Sequence, residues 1–189
     1  MKLKRRISTF IGLLRGINVG GRNMIPMAEL RLLCGKLGCG DVQSYIQSGN
    51  LVFSAPDKPA ILEAKLEESI KRRFGISIPV LVRTATEWSA YLKRNPFSET
   101  SETEANRVLL VLSKSRPNPD AVKGLRERAA DGERIVQTGD ALWIHFGNGM
   151  GRSKLSPAVL DRLVGSPVTG RNWRTVLKLD ELASQSSVS

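Results

Sequence analysis

VQSYIQSGNLVF (residues 42–53) reads as two β-strands folded back about Ser48-Gly49-Asn50. Val42–Gln47 and Leu51–Phe53 are rich in strand formers, and a Gly-Asn step between such runs signals a hairpin. With Val42, Ser44 and Ile46 facing one way, Tyr45 and Gln47 share the other face. Upstream, Met27, Leu30, Leu33, Cys34 and Leu37 recur at helical spacing between Pro26 and Gly38. Ile7–Leu14 before them is a strand closed by Arg15-Gly16. Downstream, Leu62, Leu66, Ile70 and Phe74 mark a helix stopped by Gly75, with Glu63, Glu67, Glu68, Lys65 and Lys71 as its solvated face. Ile76–Val82 contains Pro79 and belongs at a sheet edge. The order is βαββαβ.

The order then repeats. Val108–Leu112 is a strand, Pro119–Ala130 a helix, and Glu133–Gln137 with Ala141–Phe146 a hairpin about Thr138-Gly139-Asp140. Ser156-Pro157 opens a helix ending at Gly165, and Pro167–Thr169 is a stub of final strand. A last helix runs from Asn172 with Trp173, Val176, Leu177 and Leu182 inward. The expectation is an α+β chain of two ferredoxin-like (βαββαβ) units in tandem with an additional C-terminal helix. Residues 1–85 form the first unit, 86–106 a connector, 107–184 the second unit and last helix, and 185–189 a tail.

Charge is distributed unevenly. The net charge is +11. Residues 1–22 hold six basic side chains and no acid; residues 147–178 hold six against Asp161 alone. The remainder balances at 17 of each sign. The same two segments contain the loops RGINVGGRN (15–23), GNGMGRSK (147–154) and GRNW (170–173). Glycine loops carrying fixed positive charge suit an anionic ligand. In the first, the glycines let backbone approach a ligand or serve only positive φ angles, and Arg15, Asn18, Gly20, Gly21, Arg22 and Asn23 are the candidates. Tyr45, Gln47 and Asn50 are either ligand-facing or parts of a half-solvated hairpin, and both readings stay open. Arg152, Ser153 and Lys154 are candidates in the second loop. Asn172 reads as an N-cap, and Arg171 is expected at the positive N-terminus of the last helix.

Neither glycine loop fits a Walker A or GxGxxG pattern, so no cofactor is expected. Cys34 and Cys39 match no zinc spacing and His145 is the sole histidine, so no metal is expected and no catalytic triad can be built without His145. The apolar stretch Phe10–Leu14 is too short for a signal peptide and no run reaches a membrane span, so the expectation is a cytoplasmic protein with no membrane partner.

LLRGINVGGRNMIPMAELRLLCGKLGCGDVQSYIQSGNLVF (13–53) closely resembles the opening signature of a bacterial family, domain of unknown function 1697. NPF (95–97), GRSKLS (151–156) and GRNWRTVLKLDEL (170–182) are similar to its later blocks, in order. The resemblance implies an α+β fold of ferredoxin-like halves and no established activity. Three functions are then weighed. First is binding of a phosphate-bearing ligand, either a nucleotide-like anionic small molecule or nucleic acid, through the basic Gly/Asn-rich loops. Second is an enzyme acting on an anionic metabolite, with Arg15, Asn18, Tyr45 and Arg171 in its site and Tyr45 or His145 as base. Third is a structural or interaction protein pairing through the edge strand near Pro79.

Overall fold

In the computed structural model, which describes residues 6–186, the run Ser8–Leu14 is an interior strand, β1. Two four-stranded antiparallel sheets and, among the described residues, seven α-helices make a mixed α+β protein. The chain divides into two units, Met1–Ser89 with Leu179–Ser189, and Ala90–Lys178.

The first unit holds α1 (Met27–Lys36), β2 (Gly40–Tyr45), β3 (Asn50–Ala55), α2 (Pro59–Phe74) and β4 (Val80–Thr84). Its strand order is β2-β3-β1-β4. β1 sits between β3 and β4, with Phe10 opposite Phe53 and Gly12 opposite Val82. α1 buries Met27, Leu30 and Cys34, and α2 buries Leu62, Leu66 and Ile70, one stripe of each helix. These join Phe10, Leu14, Leu51, Phe53, Val80 and Val82 in one core. α2 starts on Pro59 and stops at Gly75, whose φ of 72° suits glycine.

Three expectations fail here. β2 begins at Gly40, with a bulge between Gly40 and Gln43, and ends at Tyr45, which pairs with Asn50 so that Ile46 opens the turn at φ 49°. Ile46 therefore does not share a strand face with Val42 and Ser44. The acidic side of α2 is not simply solvated. Glu63 is buried, and its carboxylate accepts the Val82 amide at 2.8 Å, while Glu67 accepts the Val80 amide at 2.8 Å. β4 is the sheet edge, so the two glutamates occupy the amides an incoming strand would need. Arg83 stands 3.6 Å from the Glu63 carboxylate and offsets its burial. A third is the strand expected at Ile76–Val82: β4 starts only at Val80, so Pro79 lies just before it, where its missing N–H costs no ladder bond.

After α3 (Ala85–Lys93) and α4 (Ser98–Thr103), the second sheet forms from β5 (Val108–Ser113), β6 (Glu133–Thr138), β7 (Ala141–Phe146) and β8 (Val168–Asn172), in the order β6-β7-β5-β8. α5 (Ala121–Arg128) and α6 (Pro157–Val164) contribute Ala121, Leu125, Leu160 and Val164 to its core. Ser156 caps α6 by accepting from the Val159 amide, and Gly165 ends it at φ 89°. β8 is a full strand rather than a stub, paired with β5 from Val168 to Asn172. α7 (Trp173–Ser186) buries Val176, Leu179 and Ala183. Leu177, expected inward, is 46% exposed because it lies off that stripe.

Gly49 is tightly enclosed in the first hairpin. It has φ 76°, and a Cβ there would lie 2.7 Å from the Leu14 Cβ and 2.9 Å from the Ile17 Cδ1. Gly20 has φ 58° with open space around it. Gly49→Ala should cost about 3 kcal/mol from overpacking added to strain, and Gly20→Ala only about 1 kcal/mol from the left-handed backbone. Urea midpoints of the two variants check this.

Candidate functional site

Residues 15–25 form a small β-finger on the first unit. Gly16, Asn18, Gly20, Gly21 and Asn23 all have positive φ. Left-handed backbone at both Gly20 and Gly21 makes Val19–Arg22 a type I′ turn, closed by the Arg22 amide on the Val19 carbonyl at 3.1 Å. The Asn18 amide then donates to the Asn23 carbonyl at 3.2 Å. A Cβ at Gly16, Gly20 or Gly21 would meet nothing within 4 Å, so turn geometry alone accounts for these glycines.

Asn18 fastens the finger. Its Oδ1 accepts the Ile25 amide at 2.8 Å, and its Nδ2 donates to the Ile25 carbonyl at 3.0 Å and the Gln47 carbonyl at 2.8 Å. The last bond ties the finger to the turn between β2 and β3. Asn23 Nδ2 donates to the Gly16 carbonyl at 2.9 Å. Asn50 is fully buried and donates to the Tyr45 carbonyl and Ser48 Oγ, both at 3.1 Å. The side-chain donors of all three asparagines thus hold the loops in shape. What the loops present outward is different: exposed Arg22 and Gln47, half-buried Tyr45, and the exposed apolar side chains of Val19, Met24 and Ile46. The side chains of Arg22, Tyr45 and Gln47 have no polar partner among the described residues. Arg15, half-buried at the finger's base, joins its amide to the Pro79 carbonyl at 3.1 Å.

The loop 147–154 of the second unit has another character. Ser153 donates to the Glu133 carboxylate, and Asn148 Nδ2 donates to the Asp131 carbonyl at 3.0 Å and its carboxylate at 3.3 Å. Burial raises the Glu133 pKa, but hydrogen bonds from Ser153 and backbone amides outweigh it and hold the carboxyl below the usual range. Arg152 and Lys154 are exposed, but two acids stand against the same loop. A 3₁₀ turn, Met150–Arg152, and the Ser156 cap intervene before α6, so the loop is not a helix-start phosphate cradle.

Arg171 stands one residue before the cap of α7, but its guanidinium bonds within β8. It lies within β8 opposite Leu110, and its Nη1 donates to Thr169 Oγ1 at 2.7 Å and the Gly170 carbonyl at 2.9 Å. Burial pushes its pKa down to about 10, so it stays charged at neutral pH. Asn172 caps α7, its Oδ1 accepting the Thr175 amide at 3.0 Å. Arg15 and Asn18 belong to the first unit, Lys154 and Arg171 to the second.

The structure also assembles a cluster in the second unit that the sequence conceals. His145 Nε2 lies 2.6 Å from Glu104 Oε2, and Arg134 Nε donates to His145 Nδ1 at 3.3 Å. Arginine only donates, so Nδ1 accepts and Nε2 carries the hydrogen that goes to Glu104. Arg134 also donates to Thr100 Oγ1 at 2.9 Å and lies 5.0 Å over the Phe97 ring. Both ring nitrogens of His145 are engaged, which removes it as the general base considered above. Among the described residues, no group of three or more His, Cys, Asp or Glu could hold a metal. The Cys34 thiol is pushed up to about 12 by burial, with Cys39 adding to the effect.

A family model described as a protein of unknown function (DUF1697) matches residues 7–143. The chain belongs to the DUF1697 family. Among solved structures, conserved bacterial protein SP0830 from Streptococcus pneumoniae is similar, with a TM-score of 0.69 and 25% identity. The match covers 94% of this chain and 99% of that one. No curated protein matches. In this DUF1697 protein the family model spans the whole finger and the Tyr45–Asn50 turn, and stops before the loop 147–154.

The Glu104 carboxyl is held below the usual range, chiefly by its hydrogen bond with His145 and further by the charges of Arg107 and Arg134. A folded pKa below the unfolded value stabilises above about pH 4.3 and is lost as pH falls through the folded value. Urea midpoints measured from pH 6 to pH 3 should therefore fall less steeply for Glu104→Gln than for the wild type.

Proposed function

We propose that this DUF1697 protein binds a phosphate-bearing ligand through the loop end of its first unit, with Arg22 on the finger as the principal cation and Arg15 at its base. The observation that carries this reading is the construction of the finger. A run of left-handed residues, fastened by three Asn18 bonds, holds an exposed arginine on rigid backbone. Residues 15–26 and 45–50 contain no acidic side chain to offset that charge. Rigid donors lose little freedom on binding. We place the second-unit candidates Arg152, Lys154 and Arg171 outside this site: the first two share their loop with Asp131 and Glu133, and Arg171 is directed into its own strand.

In the same reading, each unit is ferredoxin-like, the two stand in tandem, and α7 is the additional C-terminal helix. The βαββαβ order and the order β2-β3-β1-β4, with its counterpart in the second sheet, support this. The protein is taken as cytoplasmic; no helix among the described residues is long and apolar enough to cross a membrane. Pairing through β4 is disfavoured by Glu63 and Glu67 on its amides.

A thermal-shift screen of nucleotides, sugar phosphates, polyphosphate and short oligonucleotides tests the binding. A ligand at about 100 times its dissociation constant adds roughly 2.7 kcal/mol. Arg22→Ala should abolish the shift and leave the unliganded midpoint unchanged. No stabiliser at low salt, or an unaltered response in Arg22→Ala, overturns the proposal.

A further inference from the structure

Ile46 is placed against both of its own preferences. It is 52% exposed, so it contributes little to the core. It also holds φ 49°, a left-handed conformation that a β-branched residue rarely adopts. The Asn18 bond to the neighbouring Gln47 carbonyl keeps it there. A residue that neither packs nor suits its backbone lowers stability, and such strain gathers where a surface has work outside the fold.

Its surroundings have the same character. Val19 and Met24 are each 61% exposed. Val19 follows Asn18, Met24 follows Asn23, and Ile46 precedes Gln47. Each apolar side chain is therefore one residue from a group in the Asn18 hydrogen-bond set. Tyr45 adds a half-buried ring, and Gln47 an exposed amide able to donate and accept.

Resting on the reading above, we propose that the ligand is single-stranded nucleic acid, its bases lying against Ile46, Val19, Met24 and Tyr45 and its phosphates on Arg22. A duplex hides its base faces, and reaching them would cost unstacking. A single strand offers those faces already, next to its charge. Against an anionic bilayer, the apolar group is small and interrupted by Gln47, whose exposed amide suits base edges and not acyl chains. A mononucleotide would satisfy the arginine and leave most of the apolar surface wet.

Fluorescence anisotropy with a labelled oligothymidylate of about 12 nucleotides, and with a duplex of equal length, tests this. Ile46→Asn places a residue that accepts left-handed backbone at that position. It should raise the unliganded melting temperature, weaken single-strand binding about tenfold, and leave the salt slope unchanged. Arg22→Ala should lower that slope by about 0.7. Equal affinity for duplex and single strand, or full affinity in Ile46→Asn with the Arg22 effect intact, overturns the single-strand assignment and leaves phosphate binding standing. Binding of phosphatidylserine vesicles, lost in Ile46→Asn, with none of the oligonucleotide also overturns it. No response to any phosphate-bearing probe removes the underlying reading as well.

Discussion

The geometry of the loop end depends on one side chain, Asn18. A finger of ten or so residues, with glycine at three of its five left-handed positions, has no intrinsic reason to hold a single shape, since glycine loses more conformational freedom on ordering than any other residue. The Asn18 amide supplies that reason by bonding to both backbone groups of Ile25 and to the Gln47 carbonyl. Those bonds close the finger on itself and on the β2–β3 turn. Ile17 is fully buried beneath, and Gly49 packs against it and Leu14, so the clamp rests on the core of the unit. The positions of Arg22, Tyr45, Ile46 and Gln47 all follow from it.

The two glycine loops look equivalent as strings of residues but differ electrostatically once folded. In the finger, no acid lies within the segment and the asparagines bond to backbone. In the 147–154 loop, the sheet edge returns Asp131 and Glu133 to the serine and asparagine that a ligand would have used. Local charge counts taken along the chain missed those acids, because they stand in the residues leading into β6. The two basic segments therefore differ in what their loop side chains bond: backbone groups in the finger, carboxylates in the 147–154 loop.

Much of the fold was legible because its signals are local. Ser156-Pro157 capped α6, Gly75 and Gly165 ended their helices, and the β6–β7 hairpin formed where expected. The misses share a cause: they depend on contacts distant in sequence. Glu63 and Glu67 reach β4 across 19 and 13 residues and become edge caps, while Glu104 meets His145 across 41. The Tyr45–Asn50 pair closes the hairpin one residue earlier than expected and leaves Ile46 in the turn, which no alternation of side chains along 42–47 foretold. Of the site, Arg22 and the asparagines were visible as residue types. Their division of labour was not, since asparagine at positive φ reads the same whether it clamps backbone or awaits a ligand.

Binding at the loop end of the first unit remains a proposal that amide chemical-shift mapping during titration with a short oligothymidylate can locate residue by residue. Shifts that saturate together should lie in residues 15–25 and 45–50. Saturable shifts centred on 147–154 or around Arg171, with the finger unmoved, would contradict it.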